Sequence, residues 1–169
     1  MRRIKIAIAG VGNCASSLLQ GIEYYRQPPE SDNGSGGLMH RSIGPYRPFD
    51  IELVAAFDID RRKVGRPAGE AIFAPPNNTK VFCPRLRDPG PVVRMGPVLD
   101  GFPAHMLEYP ERRRFAPAEQ EPVDVAAALR ESGAEVLVNY LPVGSQRATE
   151  FYAQAALDEV TRLDPRYPG

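Results

Sequence analysis

Residues Ile4 to Ser16, reading IKIAIAGVGNCAS, pass from a short apolar run through a glycine turn into a helical pattern. Ile4, Ile6, Ala7, Ile8 and Ala9 are apolar at nearly every position, the pattern of a parallel strand buried on both faces. Gly10-Val11-Gly12 makes the turn, and Ala15, Leu18, Leu19 and Ile22 then recur at helical spacing. Such a strand–turn–helix junction commits the chain to alternating strands and helices. It is also a junction on which a dinucleotide pyrophosphate can sit. Gly10 permits the tight turn, Gly12 lets the backbone approach a phosphate, and Ala15 lets helix and strand pack closely. The helix points free N–H groups and its positive dipole end at the anion. G-x-G-x-x-A by itself fits any tight strand-to-helix turn, so its partners elsewhere in the chain decide its meaning.

A length of 169 residues suits one domain. Lys+Arg and Asp+Glu balance at 21 each, which leaves no basic field for nucleic acid or an anionic membrane. No apolar run approaches the roughly 20 residues of a membrane span, and the run after Arg3 is too short for a signal peptide. Cys14 and Cys83 have neither metal-ligand spacing nor a secretory context, so free thiols, no metal site and a cytoplasmic location are expected. The 18 prolines, about twice the ordinary share, predict long irregular stretches.

The periodicity predicts a strand over 3–9, a helix over 14–25 with Asn13 as N-cap, and a strand over 51–57 ending on Asp58. Between them, 26–49 is a long loop rich in Pro, Gly and Ser. A poor helix is expected over 61–72 and a short strand near 92–95. Pro103–Pro122 reads as irregular, its run Glu111-Arg112-Arg113-Arg114 as a solvated loop or fraying helix. A helix over 123–131 stopped by Gly133, a strand over 135–140 and a helix over 146–157 complete the pattern. The fold class is therefore α/β, a Rossmann-like parallel sheet with helical crossovers.

Asp58 stands where such a fold places the acid that binds the adenosine ribose, although it also suits a surface turn Asp58-Ile59-Asp60. A carboxylate there favours NAD over NADP, a preference tempered by Arg61 and Arg62. Gly144-Ser145 opens a helix at the same sheet edge as Gly10, with Ser145 either a crevice residue or an N-cap. Asn77-Asn78-Thr79 suits a sugar or phosphate, or simply a turn. Cys14 near a helix N-terminus is either a thiol of lowered pKa or a small packed residue. His40 and His105 read as surface histidines.

VGNCASSLLQGIEYY (11–25), GLMHRSIGPY (37–46), LVAAFDIDRRKVG (53–65), AIFAPPNNTK (71–80), GPVLDG (96–101), EPVDVAAAL (121–129) and EVLVNYLPVGSQRATEFYAQAALD (135–158) follow one another in order. Together they resemble the inositol-3-phosphate synthase family in its actinobacterial and archaeal branch. The resemblance implies that NAD binds through Gly10, Val11, Gly12, Asn13, Cys14 and Ala15. Asp58 would hold the ribose, and Asn78, Thr79, Pro142, Val143, Gly144 and Ser145 would contact the cofactor. It further implies the family reaction, an NAD-dependent isomerisation of glucose 6-phosphate to inositol 3-phosphate that feeds phospholipid synthesis.

The family's catalytic lysines lie in a second domain beyond the matching region. The expectation is an NAD-binding domain over 1–158, a divergent polar tail over 159–169 and no catalytic domain. Lys5, Lys63 and Lys80 match no catalytic lysine, so no catalytic residue is assigned. The chain is expected to be inactive alone, taking glucose 6-phosphate only if a second domain or subunit is supplied. The alternative is a non-catalytic NAD-binding module or a regulatory partner of a full-length synthase. Val136-Leu137-Val138 has the pattern of an interior strand, so a sheet incomplete at its C-terminal side predicts poor solubility or a homo- or hetero-oligomer.

Overall fold

A computed structural model describes residues 3–26, 37–102 and 104–163, without the side chains of 160–163. The elements are β1 (Ile4–Ala9), α1 (Asn13–Tyr24), β2 (Ile51–Asp58), α2 (Ala68–Ala71), β3 (Arg94–Met95), α3 (Val125–Ser132), β4 (Val136–Asn139) and α4 (Gln146–Leu163). Short 3-10 turns lie at Pro48–Asp50, Ala104–Glu108 and Glu111–Arg113. The strands form one sheet in the order β3-β2-β1-β4 with every pair parallel. That order matches the first four strands of a doubly wound sheet, in which the order reverses between β1 and β4.

The alternation of β1 sorts its side chains to two cores. Ile6 and Ile8 pack beneath α1 with Ala15, Leu19 and Ile22, together with Ala56 and Val93. Ala7 and Ala9 face the opposite side with Phe57, against Val125, Ala128 and Leu129 of α3 and Tyr152 and Ala155 of α4. Each large aliphatic side chain so buried contributes about 1.5–3 kcal/mol. The ring centroids of Phe57 and Tyr152 lie 5.7 Å apart. Tyr152 reaches so close to Gly96 that a Cβ at position 96 would run into its hydroxyl.

The structure corrects several expectations. The helix expected over 61–72 is only the single turn α2, because Gly65 takes φ +84 and Pro67 follows it. Asn13 is the first residue of α1 and not its cap, a place taken by Gly12. α4 runs past Leu157 to Leu163, since no helix breaker precedes Pro165. Gly133 stops α3 in the left-handed conformation, as expected. Of the long loop, 27–36 and its run Asn33 to Gly36 lie outside the described residues. In the remainder, Ile43 and Tyr46 bridge and Pro48–Asp50 is capped.

The segment 104–118 is irregular but firmly held. Asp60 is fully buried and accepts from Arg62 Nε at 2.8 Å and from the Ala116 N–H at 2.9 Å. Arg62 donates to the carbonyls of Glu111 and Arg114 at 3.0 and 2.7 Å. Arg61 pairs with Glu111. Thus Glu111, Arg112 and Arg113 are exposed and Arg114 is half-buried, yet the backbone of the run is tied to the end of β2.

Candidate functional site

The β1–α1 turn and the end of β4 meet where the strand order reverses. Gly10 donates to the Phe57 carbonyl at 2.8 Å and takes φ +93. A Cβ there would lie 2.7 Å from the Tyr140 carbonyl oxygen, so β4 approaches this closely only because position 10 is glycine. Gly12 differs. A Cβ on it would meet nothing within 4 Å, because it opens onto a cavity.

No side chain caps α1. Its first i→i−4 bond is Ser16 N–H to the Gly12 carbonyl, at 2.9 Å, so the N–H groups of Asn13, Cys14 and Ala15 precede the helical ladder. The other long helices are capped by carboxylates. Asp124 accepts from Ala127 N–H at 3.0 Å on α3. Asp100 accepts from Arg147 and Ala148 N–H at 2.8 and 2.9 Å on α4. Desolvation pushes the Asp100 pKa up, but these N–H bonds outweigh it and hold the carboxyl below its ordinary value. Ser145, buried beside this turn, therefore leaves capping to Asp100.

Asp58 closes the floor. Its Oδ2 accepts from Val11 N–H at 2.7 Å, and its Oδ1 accepts from Ile59 and Asp60 N–H at 2.8 and 2.9 Å. A carboxylate offers about four acceptor positions, so one stays open to a further donor. Lys63, fully buried, donates from Nζ to the Val11 carbonyl at 2.8 Å and lies 3.9 Å from Asp58 Oδ2.

The turn 77–79 forms the adjoining rim. Asn78 N–H donates to Asn13 Oδ1 at 2.8 Å, and the Thr79 hydroxyl donates to the Asn13 carbonyl at 3.0 Å. Asn77 secures the turn by donating to the Ile72 carbonyl and accepting from Thr79 N–H. The asparagines and threonine thus stitch this segment to the start of α1.

A cavity of about 410 Å³ results, in the range of small-ligand sites. Of the residues picked out from sequence, Gly10, Gly12, Asn13, Cys14, Asp58, Asn78, Pro142 and Val143 line it. Gly144 and Ser145 line an adjoining groove of about 1120 Å³ that shares Asn78, Pro142 and Val143 with the cavity. Val11 and Ala15 pack into the core, and Thr79 braces Asn13. Cys14 is an exposed free thiol, and His105 stands in the larger groove.

Three residues of this region carry no sequence signal for it. Lys63 sits in the charged string Arg61-Arg62-Lys63, which reads as solvated. Tyr152 looks like one apolar position of α4, yet it lines the cavity, where burial and the Asp58 charge raise its phenol pKa. Asp100 gives no hint that it caps a helix so far along the chain. Among the described residues, no three His, Cys, Asp or Glu side chains converge as for a metal, and no helix is long and apolar enough to cross a membrane.

No family model matches the chain. It is 48% identical over 158 residues to the inositol-3-phosphate synthase of Mycolicibacterium smegmatis, a match covering 92% of this chain and 41% of that protein. The synthase of Corynebacterium glutamicum is 48% identical over 155 residues, with 92% and 41% covered. The crystal structure of Ari2 superposes with a TM-score of 0.71 at 36% identity, over 93% of this chain and 44% of that one. A myo-inositol-1-phosphate synthase-related protein from Thermotoga maritima shares the fold, with a TM-score of 0.65 at 21% identity over 95% of this chain and 45% of that one. The chain is therefore a relative of the inositol-3-phosphate synthases over almost its whole length and spans about two fifths of theirs.

Proposed function

We propose that these residues form the NAD-binding part of an inositol-3-phosphate synthase-like protein. The observation that carries this reading is the uncapped first turn of α1, opening through Gly12 onto a cavity at the strand-order reversal. The N–H groups of Asn13, Cys14 and Ala15 would hold the pyrophosphate. The open acceptor position of Asp58 would take a ribose hydroxyl. Asn78 and Pro142 to Ser145 would form the wall towards the larger groove, with Thr79 contacting the cofactor from the brace it makes to Asn13. The donors fit an anion, and the bare Gly12 leaves it room.

The preference for NAD over NADP follows from charge. A 2′-phosphate beside Asp58 would be repelled, and the two arginines that closely follow it in sequence are committed elsewhere. Arg61 pairs with Glu111, and Arg62 with Asp60. When bound, NAD supplies a hydride acceptor. The chain's own groups bind and orient it, and in the family reaction glucose 6-phosphate is isomerised to inositol 3-phosphate.

We assign no catalytic residue among these 169. Lys63 is buried and bonded to Val11, while Lys5 and Lys80 are exposed and line neither the cavity nor the groove. Turnover of glucose 6-phosphate accordingly needs groups from a further domain or subunit. Two free cysteines and the balanced charge suit the cytoplasm.

Calorimetric titration with NAD tests the binding half. Saturable binding is expected, and no heat at about millimolar NAD overturns the reading. The 169 residues mixed with NAD and glucose 6-phosphate should yield no inositol phosphate. Turnover in that mixture overturns the inactivity half alone.

A further inference from the structure

Lys63 is a buried cation with no part in the cofactor contacts named above. Its position is specific. The Val11 backbone has two polar groups, and one ion pair takes both. The N–H donates to Asp58 Oδ2 at 2.7 Å, and the carbonyl accepts from Lys63 Nζ at 2.8 Å. Lys63 and Asp58 lie 3.9 Å apart, too far for a hydrogen bond but close enough for strong attraction in a site this enclosed. A methionine would fill the same space without burying a charge, so packing alone does not account for a lysine.

Electrostatics supplies the account. Asp58 is 8% exposed and sits beneath the first turn of α1, where an anion is to be received. An unbalanced carboxylate there would oppose the helix dipole and repel a pyrophosphate. Arg62 is held by Asp60, so Lys63 is the cation paired with Asp58.

We infer that Lys63 and Asp58 act as one clamp on the Val11 backbone, fixing the Gly10–Gly12 turn for a pyrophosphate and cancelling the carboxylate charge beneath it. Lys63 is then a positioning residue, acting through the turn and through Asp58. The inference rests on the NAD reading and adds how that site tolerates an acid and an anion together.

The test is Lys63→Met in the full chain, with NAD, ADP and adenosine titrated by calorimetry and, for the weak ligand, by NMR shifts. The clamp predicts that NAD and ADP affinity fall at least about tenfold while adenosine affinity stays within about twofold. Equal loss for all three ligands marks Lys63 as generally structural and overturns the inference, as does unchanged ADP binding. Should Lys63→Met fail to fold, Lys63→Gln keeps a donor for the Val11 carbonyl but not the charge. It should still lose ADP relative to adenosine, and unchanged selectivity overturns the clamp. If the unaltered chain binds NAD, failure in the variants condemns the clamp alone. If it binds none of the three ligands, the cofactor reading falls and takes the clamp with it.

Discussion

A methyl group added to Gly10 meets the backbone of β4, whereas one added to Gly12 meets empty space. The two glycines of one turn therefore serve different ends, and substitution separates them. Gly10→Ala forces a left-handed backbone and a clash with Tyr140, and should cost about 3 kcal/mol or more in denaturant unfolding. Gly12→Ala should fold with a change within about 1 kcal/mol, yet lose most NAD affinity in titration, because its methyl would occupy the open space proposed for the pyrophosphate. The tight turn at Gly10 was legible in the spacing of the glycines. The burial of Lys63 was not. Whether a lysine after two arginines meets water or a peptide carbonyl depends on where β2 ends relative to β1, which no local pattern encodes. Tyr152 is a similar case, since helical spacing shows which face of α4 is inward but not that this position borders a cavity.

The elements follow the apolar runs wherever those runs are long. β1, β2 and β4 fall close to the expected bounds, and α3 stops at Gly133. Pattern fails where polar side chains organise the backbone. The stretch from Asp60 to Pro67 turns because Asp60 gathers N–H groups and Arg62, and the same aspartate ties down 104–118. Burial pushes the Asp60 pKa up, but the Arg62 guanidinium and the N–H groups of Ala116 and Arg62 outweigh it and hold the carboxyl below its ordinary 3.8. The folded pKa is thus lower than the unfolded one. The resulting stabilisation is complete above the ordinary value and is lost as pH falls through the folded value. Asp60→Asn should cost about 3 kcal/mol near neutral pH. Unfolding midpoints followed below about pH 4 should fall more steeply in the unaltered chain than in the variant. Parallel curves would remove Asp60 from this role.

At the scale of the whole molecule, both faces of the sheet are covered, but β4 has no strand on its outer side among the described residues. Val136 on that edge is 46% exposed. Such an edge offers unpaired N–H and carbonyl groups to another strand. We expect sedimentation of the chain at about tens of micromolar to show association, and Val136→Lys to reduce it. A stable monomer of the unaltered chain counts against pairing through this edge. Strand order was legible only as far as the alternation of strands and helices, since side chains that choose neighbours act across the chain. The backbone of Lys5 contacts Glu135 across a separation of 130 residues. That contact has a consequence for synthesis. β1 needs β4 to complete its pairing, so folding must await a contact of long sequence separation. Until Tyr140 emerges, the Gly10–Gly12 turn lacks its β4 wall, so a nascent chain holds the turn before it holds the cavity.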